Sequence, residues 1–354
     1  MSAHQDFSDD LMIESRNGVG LITLNRPKAL NALSLDMLTR FGGALTAWAG
    51  DPAIRAVIVR GGGGRAFCAG GDIRAVYDAH KRGDPAFSHD LFRREYTLDY
   101  LVGTFPKPYI AFMDGIVMGG GCGISVHGSH RIVTERTVLA MPETAIGFFP
   151  DVGASHFLAR CPGRIGLYLG LTGVRLDASD ALYAGLADAQ VPSESLDRLA
   201  AAIVAGESPE DAIADFAVKP SASELETMRP TVDRCFAASD LGGTIGALER
   251  AAGAGETDAE TVLKSLDGKS PFSLKLTYKL LSKNDNISIK DSLVTDYRLS
   301  RRVIERADFQ EGVRAVLVDK DNRPRWTPGA LEDVRDDAVA ACFEPLGPED
   351  LVLA

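Results

Sequence analysis

Two carboxylates, Glu143 and Asp151, stand in the run MPETAIGFFPDVGAS, and almost everything between them is small or apolar. A carboxyl group in an apolar pocket has its charged form disfavoured, so its pKa rises toward working pH and it becomes useful for general acid–base chemistry. Two such groups near one reacting bond can divide the work, one ionised and one protonated. Each acid also has a purely structural reading. Glu143 follows Pro142 at what reads as a helix start, where negative charge favours the helix dipole. Asp151, between Pro150 and Val152-Gly153, fits an N-cap. The segment alone leaves both readings open.

Two glycine clusters precede these acids: GGGGRAFCAGGDIRAV, residues 61–76, and MDGIVMGGGCGISVHG, residues 113–128. Each lies between a strand pattern and a helix pattern. Glycine lets backbone approach a ligand closely, and a helix start offers unpaired N–H groups with partial positive charge. Two such starts aimed at one point would form an oxyanion hole. Tight turns with close helix packing are the alternative for either cluster alone. Neither is followed by Gly-Lys-Ser/Thr, so a phosphate loop is a poor match. Neither carries the G-x-G-x-x-G spacing and downstream acid of a dinucleotide site.

Other chemistry-bearing residues point nowhere in particular. His127, His130 and His156 lack carboxylate or cysteine partners at ligand spacing, so no metal site is expected. Ser125 and Ser155 sit in no nucleophile elbow. Cys68 and Cys122 read as small packing residues.

The elements that must hold the acids and glycines are legible. LMIESRNGVGLITLN is two apolar runs around Arg16-Asn17-Gly18, a hairpin signal. SLDMLTRFGGALTAWAGD reads as a helix with Ser34 as N-cap. IRAVIVRG, PYIAFMDG and HRIVTE read as strands. Helical patterns cover Ile73 to Lys81, Leu91 to Val102 and a glycine-rich start at 119. Strands alternating with helices to about residue 190 predict an α/β core. Residues 193–266 are Ala-, Glu- and Asp-rich with almost no strand signal. SPFSLKLTYKLLSK and LVTDYRLSRRVIE continue the helical pattern, and DFQEGVRAVLVDKDNRPRW follows. The expected division is a core over 1–192 and a helical extension over 193–354 that packs on it.

Composition bounds the function. The 354 residues are 45% hydrophobic and 25% charged, with a net charge of -11, so no basic excess is present to neutralise nucleic-acid phosphates. No apolar run approaches the ~18 residues that cross a bilayer. The five scattered cysteines suggest reduced thiols. The acidic, polar start MSAHQDFSDDLMIES lacks the form of a secretion signal or a transit peptide. The expectation is a cytoplasmic protein, with homo-oligomerisation left open.

RAFCAGGDI, MDGIVMGGGCGISVHG and MPETAIGFFPDVGAS, in this order, resemble the crotonase (enoyl-CoA hydratase/isomerase) superfamily. LNRPKALNALSLDML fits the whole superfamily. FRREYTLDYLV, PETAIGFFPDVGAS and DFQEGVRAVLVDKDNRPRW resemble more narrowly its branch that hydrolyses 3-hydroxyisobutyryl-CoA, an enzyme of valine breakdown. The resemblance implies a spiral of ββα units, an acyl-CoA thioester substrate, and no cofactor beyond the CoA of that substrate.

The resemblance also implies roles. The N–H groups of Gly71 and Gly120 match the oxyanion donors. Ala29, Ala69, Asp72 and Ile73 match the loops that cup CoA, although Asp72 by itself reads as an N-cap. Many superfamily hydratases use two glutamates. Glu143 matches one of them; the other position, three residues after Gly120, is Gly123, which has no side chain for acid–base work. The hydrolase branch keeps the Glu143 position and adds an aspartate matched by Asp151. Glu95 matches a substrate-contacting acid, although Arg94 stands where its neighbour is usually acidic; a solvated helix face is its other reading. Lys320 and Arg325 read as an exposed charged tail, with a CoA phosphate contact as the alternative. A hydratase or isomerase of the same fold, and a non-catalytic acyl-CoA-binding protein, are the competing functions.

Overall fold

The computed structural model describes residues 9–282 and 286–353. Residues 1–8 of the acidic start, and Lys283 at the end of one expected helical run, lie outside the described residues.

The chain opens on the expected hairpin, β1 (Leu11–Arg16) antiparallel to β2 (Val19–Leu24). Its turn residues Asn17 and Gly18 both have positive φ, 48° and 76°. A two-residue hairpin turn of this hand needs that pair of conformations, and Asn-Gly tolerates both. Helix α1 (Leu35–Gly50) follows, with the Ser34 side chain accepting a hydrogen bond from the Met37 N–H. Its apolar stripe of Met37, Leu38, Phe41 and Leu45 is buried.

From there the chain winds as a spiral. Strands β3 (Ala56–Gly61) and β4 (Ala66–Cys68) lead into α2 (Ile73–Lys81) and α3 (Pro85–Gly103). Strands β5 (Tyr109–Met113) and β6 (Ile116–Met118) lead into α4 (Gly120–Val126). Strands β7 (His130–Val133) and β8 (Val138–Ala140) lead into a 3₁₀ turn, Glu143–Ile146, and α5 (Ala154–Leu158). The last strand is β9 (Ala189–Gln190). Each turn gives one strand to a six-stranded sheet, ordered β1-β2-β3-β5-β7-β9, and the next to a three-stranded sheet, ordered β4-β6-β8. All pairs after the hairpin are parallel. This is the expected spiral of ββα units.

Alternation along the strands explains the layers. Ala56, Ile58, Ile110 and Phe112 turn to one face of the large sheet, where the helices Leu196–Ala205 and Pro209–Phe216 cover them. Val57, Val59, Tyr109 and Ala111 turn to the other face and enter the main core. That core also takes Leu293, Tyr297 and Phe309 from the helices Ile289–Val303 and Ala307–Val313. Among the described residues no helix is long and apolar enough to cross a membrane.

The small sheet positions the candidate residues. Its three strands run parallel, with Met118 beside Ala140 and Val117 beside both Cys68 and Leu139. Their C-terminal ends therefore emerge side by side. Those ends deliver Ala69–Asp72, Gly119–Gly120 and Met141–Glu143 to one place.

Candidate active site

The two glycine clusters meet at this sheet end. Gly70 and Gly119 have φ of 113° and 50°, conformations that favour glycine. A Cβ placed on Gly70 would sit 3.5 Å from the Gly120 nitrogen, and one on Gly120 would sit 3.1 Å from the Gly71 nitrogen. The loops thus touch through backbone. Among the described residues, the backbone hydrogen bonds of turns and loops use neither the Gly71 nor the Gly120 N–H. Gly120 opens α4, so its N–H also carries the partial positive charge of a helix start.

Acids border these glycines. A Cβ on Gly71 would approach Glu95 Oε2 to 3.0 Å, one on Gly119 would approach Glu143 Oε1 to 3.1 Å, and one on Gly120 would overlap Glu95 Oε1. Glu95 comes from α3, and Glu143 starts the 3₁₀ turn after β8. Asp151 joins them through Tyr96, whose hydroxyl donates to Asp151 Oδ2 at 2.7 Å. Glu95, Glu143 and Asp151 are all buried, the residues being 2%, 6% and 5% exposed. The structure therefore brings Glu95, Gly71, Gly120, Glu143 and Asp151 together, although they lie on four separate segments. Arg94 turns away, pairing with Asp90 at 3.0 Å on the exposed side of α3.

Two more buried acids belong to this cluster and were not singled out from the sequence. Asp99 lies one helical turn after Glu95, and neither of its oxygens has a hydrogen-bond partner. Asp296, from the helix Ile289–Val303, accepts the Gly153 N–H at 2.8 Å. A signal for Asp99 existed in the spacing of EYTLD, which puts it on the Glu95 face of one helix. Asp296 had none, because only the folded chain carries it to Gly153. A side chain at Gly123 has no room: its Cβ would lie 2.5 Å from Asp99 Oδ1 and 2.8 Å from the Val152 Cβ.

Burial governs the electrostatics. It raises Glu95, Asp99, Glu143 and Asp296 well above the usual carboxylate range, and the Asp151 charge adds to each. Asp151 is pushed up to about 7 by burial, against the opposing Tyr96 hydrogen bond. Lys269 offers Glu143 a nearby positive charge, but burial lowers its own pKa. Burial also pushes the Cys68 thiol up to about 12. Among the described residues no group of His, Cys, Asp and Glu is arranged to hold a metal ion.

These acids predict an unusual pH dependence of stability. A carboxyl whose folded pKa exceeds its unfolded one contributes stability that is complete below the unfolded value and is lost as pH rises through the folded one. Between about pH 7 and pH 8, ordinary carboxylates have finished titrating, imidazoles are mostly neutral and thiols mostly protonated. The slope there comes mainly from acids still protonated in the fold, and the buried thiols add to it in the same direction toward pH 8. Denaturant-derived stability is expected to fall across that window, and to fall less in Asp99→Asn. A flat or rising profile contradicts a cluster held protonated.

The residues matched to CoA contacts form a neighbouring surface. Ala29 ends a short 3₁₀ turn and is exposed. The Ala69 N–H donates to the Leu30 carbonyl at 3.0 Å, and the Leu33 N–H to Gly70 at 2.8 Å, which ties the two loops together. Asp72 caps α2 through the Ala75 N–H and pairs with Arg26 at 3.1 Å. Its carboxylate is already engaged, in line with its reading as an N-cap. Ile73 begins α2, half-buried. Lys320 and Arg325 are exposed.

Known proteins resemble this chain over nearly its whole length. It is 44% identical over 360 residues to a protein of Gallus gallus named 3-hydroxyisobutyryl-CoA hydrolase, mitochondrial, covering 99% of this chain and 92% of that one. The Homo sapiens protein of the same name is 40% identical, covering 99% and 92%. Among solved structures, a carnitinyl-CoA dehydratase from Mycobacterium thermoresistibile superposes with a TM-score of 0.92 at 38% identity, over 98% of this chain and 99% of that one. An enoyl-CoA hydratase from Rhodobacter sphaeroides gives 0.89 at 41%, over 98% and 100%. The expected cytoplasmic location is overturned by the first two relatives, which are named as mitochondrial. Organelle addresses are read by receptors and are not a property of folded-chain composition, so the acidity of the first residues and the reduced thiols could not decide it. The sequence model described as enoyl-CoA hydratase/isomerase matches residues 19–343, and with these relatives it shows that the chain belongs to the enoyl-CoA hydratase/isomerase family.

Proposed function

We propose that this protein hydrolyses the thioester of 3-hydroxyisobutyryl-CoA, or a similar short 3-hydroxyacyl-CoA, to the free acid and CoA, a step of valine breakdown. The observation that carries the reading is the burial of Glu143 and Asp151 near two glycine N–H groups that, among the described residues, enter no backbone hydrogen bond of the turns and loops. Relatives at 40–44% identity named as hydrolases of this substrate support it.

The thioester oxygen sits between the N–H groups of Gly71 and Gly120, which stabilise the negative charge that develops on it. Burial holds a proton on Glu143 in the free protein, so Glu143 acts once that proton has left: its carboxylate then attacks the acyl carbon. An acyl–oxygen bond forms, the carbon–sulfur bond breaks, and the product is a mixed anhydride that water then cleaves to regenerate Glu143. In the other form of the mechanism, Glu143 takes a proton from water, which attacks in its place. Asp151, with a pKa of about 7, is suited to deliver a proton to the departing thiolate or to hold the substrate hydroxyl. Glu95 lies against both oxyanion glycines and is placed to contact substrate. Ala29, Ala69, Asp72 and Ile73 border the side on which CoA lies. The core over 1–192 supplies these groups, and from the extension over 193–354 the helix Ile289–Val303 reaches them through Asp296. No metal or redox cofactor enters; CoA is part of the substrate.

A second reading, hydration of an enoyl-CoA, has the name of one solved neighbour, the enoyl-CoA hydratase, in its favour. Against it stands Gly123, where the space for a second glutamate is filled by Asp99 and Val152. A non-catalytic acyl-CoA binder is disfavoured by acids kept in the interior at the cost of burial. Thiol release from 3-hydroxyisobutyryl-CoA, set against hydration of crotonyl-CoA, separates all three.

A further inference from the structure

Asp151 is followed by two residues in the left-handed region, Val152 at φ 52° and Gly153 at φ 81°. A β-branched residue rarely holds that conformation unless its surroundings fix it. Here they do, from two sides. The Val152 carbonyl accepts a hydrogen bond from His127 Nε2 at 2.8 Å. The Gly153 N–H donates to Asp296 Oδ2 at 2.8 Å. Val152 itself is fully buried, so the turn cannot swing out to relax.

The helix Ile289–Val303 reaches Asp151 by more than one route. Ser292, one turn before Asp296, shares a 2.6 Å hydrogen bond with Ser155 at the start of α5. Tyr297, next to Asp296, meets the Tyr96 ring edge-on at 6.5 Å, and Tyr96 donates to Asp151. One face of a distant helix thus touches the backbone after Asp151 and the partner of its carboxylate.

We infer that Asp296 is a positioning residue: by accepting the Gly153 N–H it holds the strained Val152–Gly153 turn, and through it the Asp151 carboxylate, in working geometry. The inference rests on the reading of Asp151 as the proton-moving or substrate-orienting group. It assigns the C-terminal helices a part in catalysis beyond covering the core. Asp296 touches no reacting atom; it acts through the backbone.

The test compares Asp296→Ala, Asp296→Asn and Asp151→Asn in cleavage of 3-hydroxyisobutyryl-CoA, with folding checked by thermal unfolding. A displacement of about 1 Å at a reacting group can cost ~10²-fold in rate. Asp296→Ala is expected to lose roughly 10- to 100-fold in kcat, with KM within about 3-fold of the parent. Asp296→Asn keeps an oxygen for the Gly153 N–H and should regain most of the lost kcat. A merely structural role would lower the unfolding temperature and leave kcat of the folded protein unchanged, and that result overturns the inference. So does an Asn variant as slow as the Ala variant. Should Asp296→Ala not fold, His127→Phe frees the turn from its other side; it must show the same loss confined to kcat, and an unchanged kcat overturns the inference. Full activity in Asp151→Asn sinks the underlying site reading, whereas an inactive Asp151→Asn beside a fully active Asp296→Ala sinks this inference alone.

Discussion

Glu143→Gln is expected to lose ~10²–10⁴-fold in kcat for thioester cleavage while keeping its fold, the usual consequence of removing a positioned acid–base or nucleophilic group. Glutamine matches the shape of the glutamate and cannot ionise. Glu143 is buried and Oε2 has no hydrogen-bond partner, so the carboxylate is costly where it stands. Its neutral replacement should unfold at the same temperature or higher. Stability and activity then move in different directions, which separates a working acid from a structural one. The helix-start reading predicts the reverse, a lower unfolding temperature with activity kept. Near-normal turnover in a folded Glu143→Gln removes Glu143 from the mechanism.

Gly120→Val should be nearly as damaging for a different reason. The proposed donor is a backbone N–H, so no side-chain deletion can test it, but bulk can. A Cβ at this position overlaps Glu95 Oε1 and stands 3.1 Å from the Gly71 nitrogen, between the two N–H groups proposed as donors. Glu95 is the end of a flexible side chain and can yield, so the fold is expected to survive. The thioester oxygen cannot share that gap with two methyl groups. Loss of an oxyanion donor costs ~10²–10³-fold in kcat, and loss on that scale is expected here. A folded Gly120→Val with normal kcat and KM would make Gly120 a packing glycine and put the oxyanion donors elsewhere.

What the sequence revealed followed local rules. Asn17-Gly18 dictated a turn with two positive φ values, Ser34 capped α1, and the helix expected over Ile73 to Lys81 has those ends in the structure. Helix α3 begins at Pro85, well before the expected Leu91, because the Asp84 side chain accepts the Phe87 N–H and Pro85 suits a first turn. The small sheet left no pattern in the residues themselves and was implied only by the resemblance. Its strands β4, β6 and β8 have three residues each, too few for a period of two to register. Yet that sheet brings the glycine loops and Glu143 together. The acids known from the ordered motifs, Glu95, Glu143 and Asp151, could be named in advance. Asp99, Tyr96 and Asp296 are defined by contacts across the fold: Asp99 by the empty side of Gly123, Tyr96 by its bond to Asp151, and Asp296 by the turn it holds.

The names of the relatives pull toward two chemistries, and Gly123 decides between them. Hydration needs one group to activate water and another to deliver a proton to the α-carbon. Thioester hydrolysis needs oxyanion donors, one nucleophile or base, and a proton for a thiolate that is already a good leaving group. The roles proposed for Gly71, Gly120, Glu143 and Asp151 meet the second demand without a side chain at residue 123. One purified preparation should be given 3-hydroxyisobutyryl-CoA and crotonyl-CoA in parallel, with thiol appearance followed for the first and loss of enoyl absorbance for the second. Rapid release of free CoA from the 3-hydroxyacyl thioester, with little or no hydration of crotonyl-CoA, is the expected result; fast hydration without thiol release, or tight binding of both with no turnover, would contradict it.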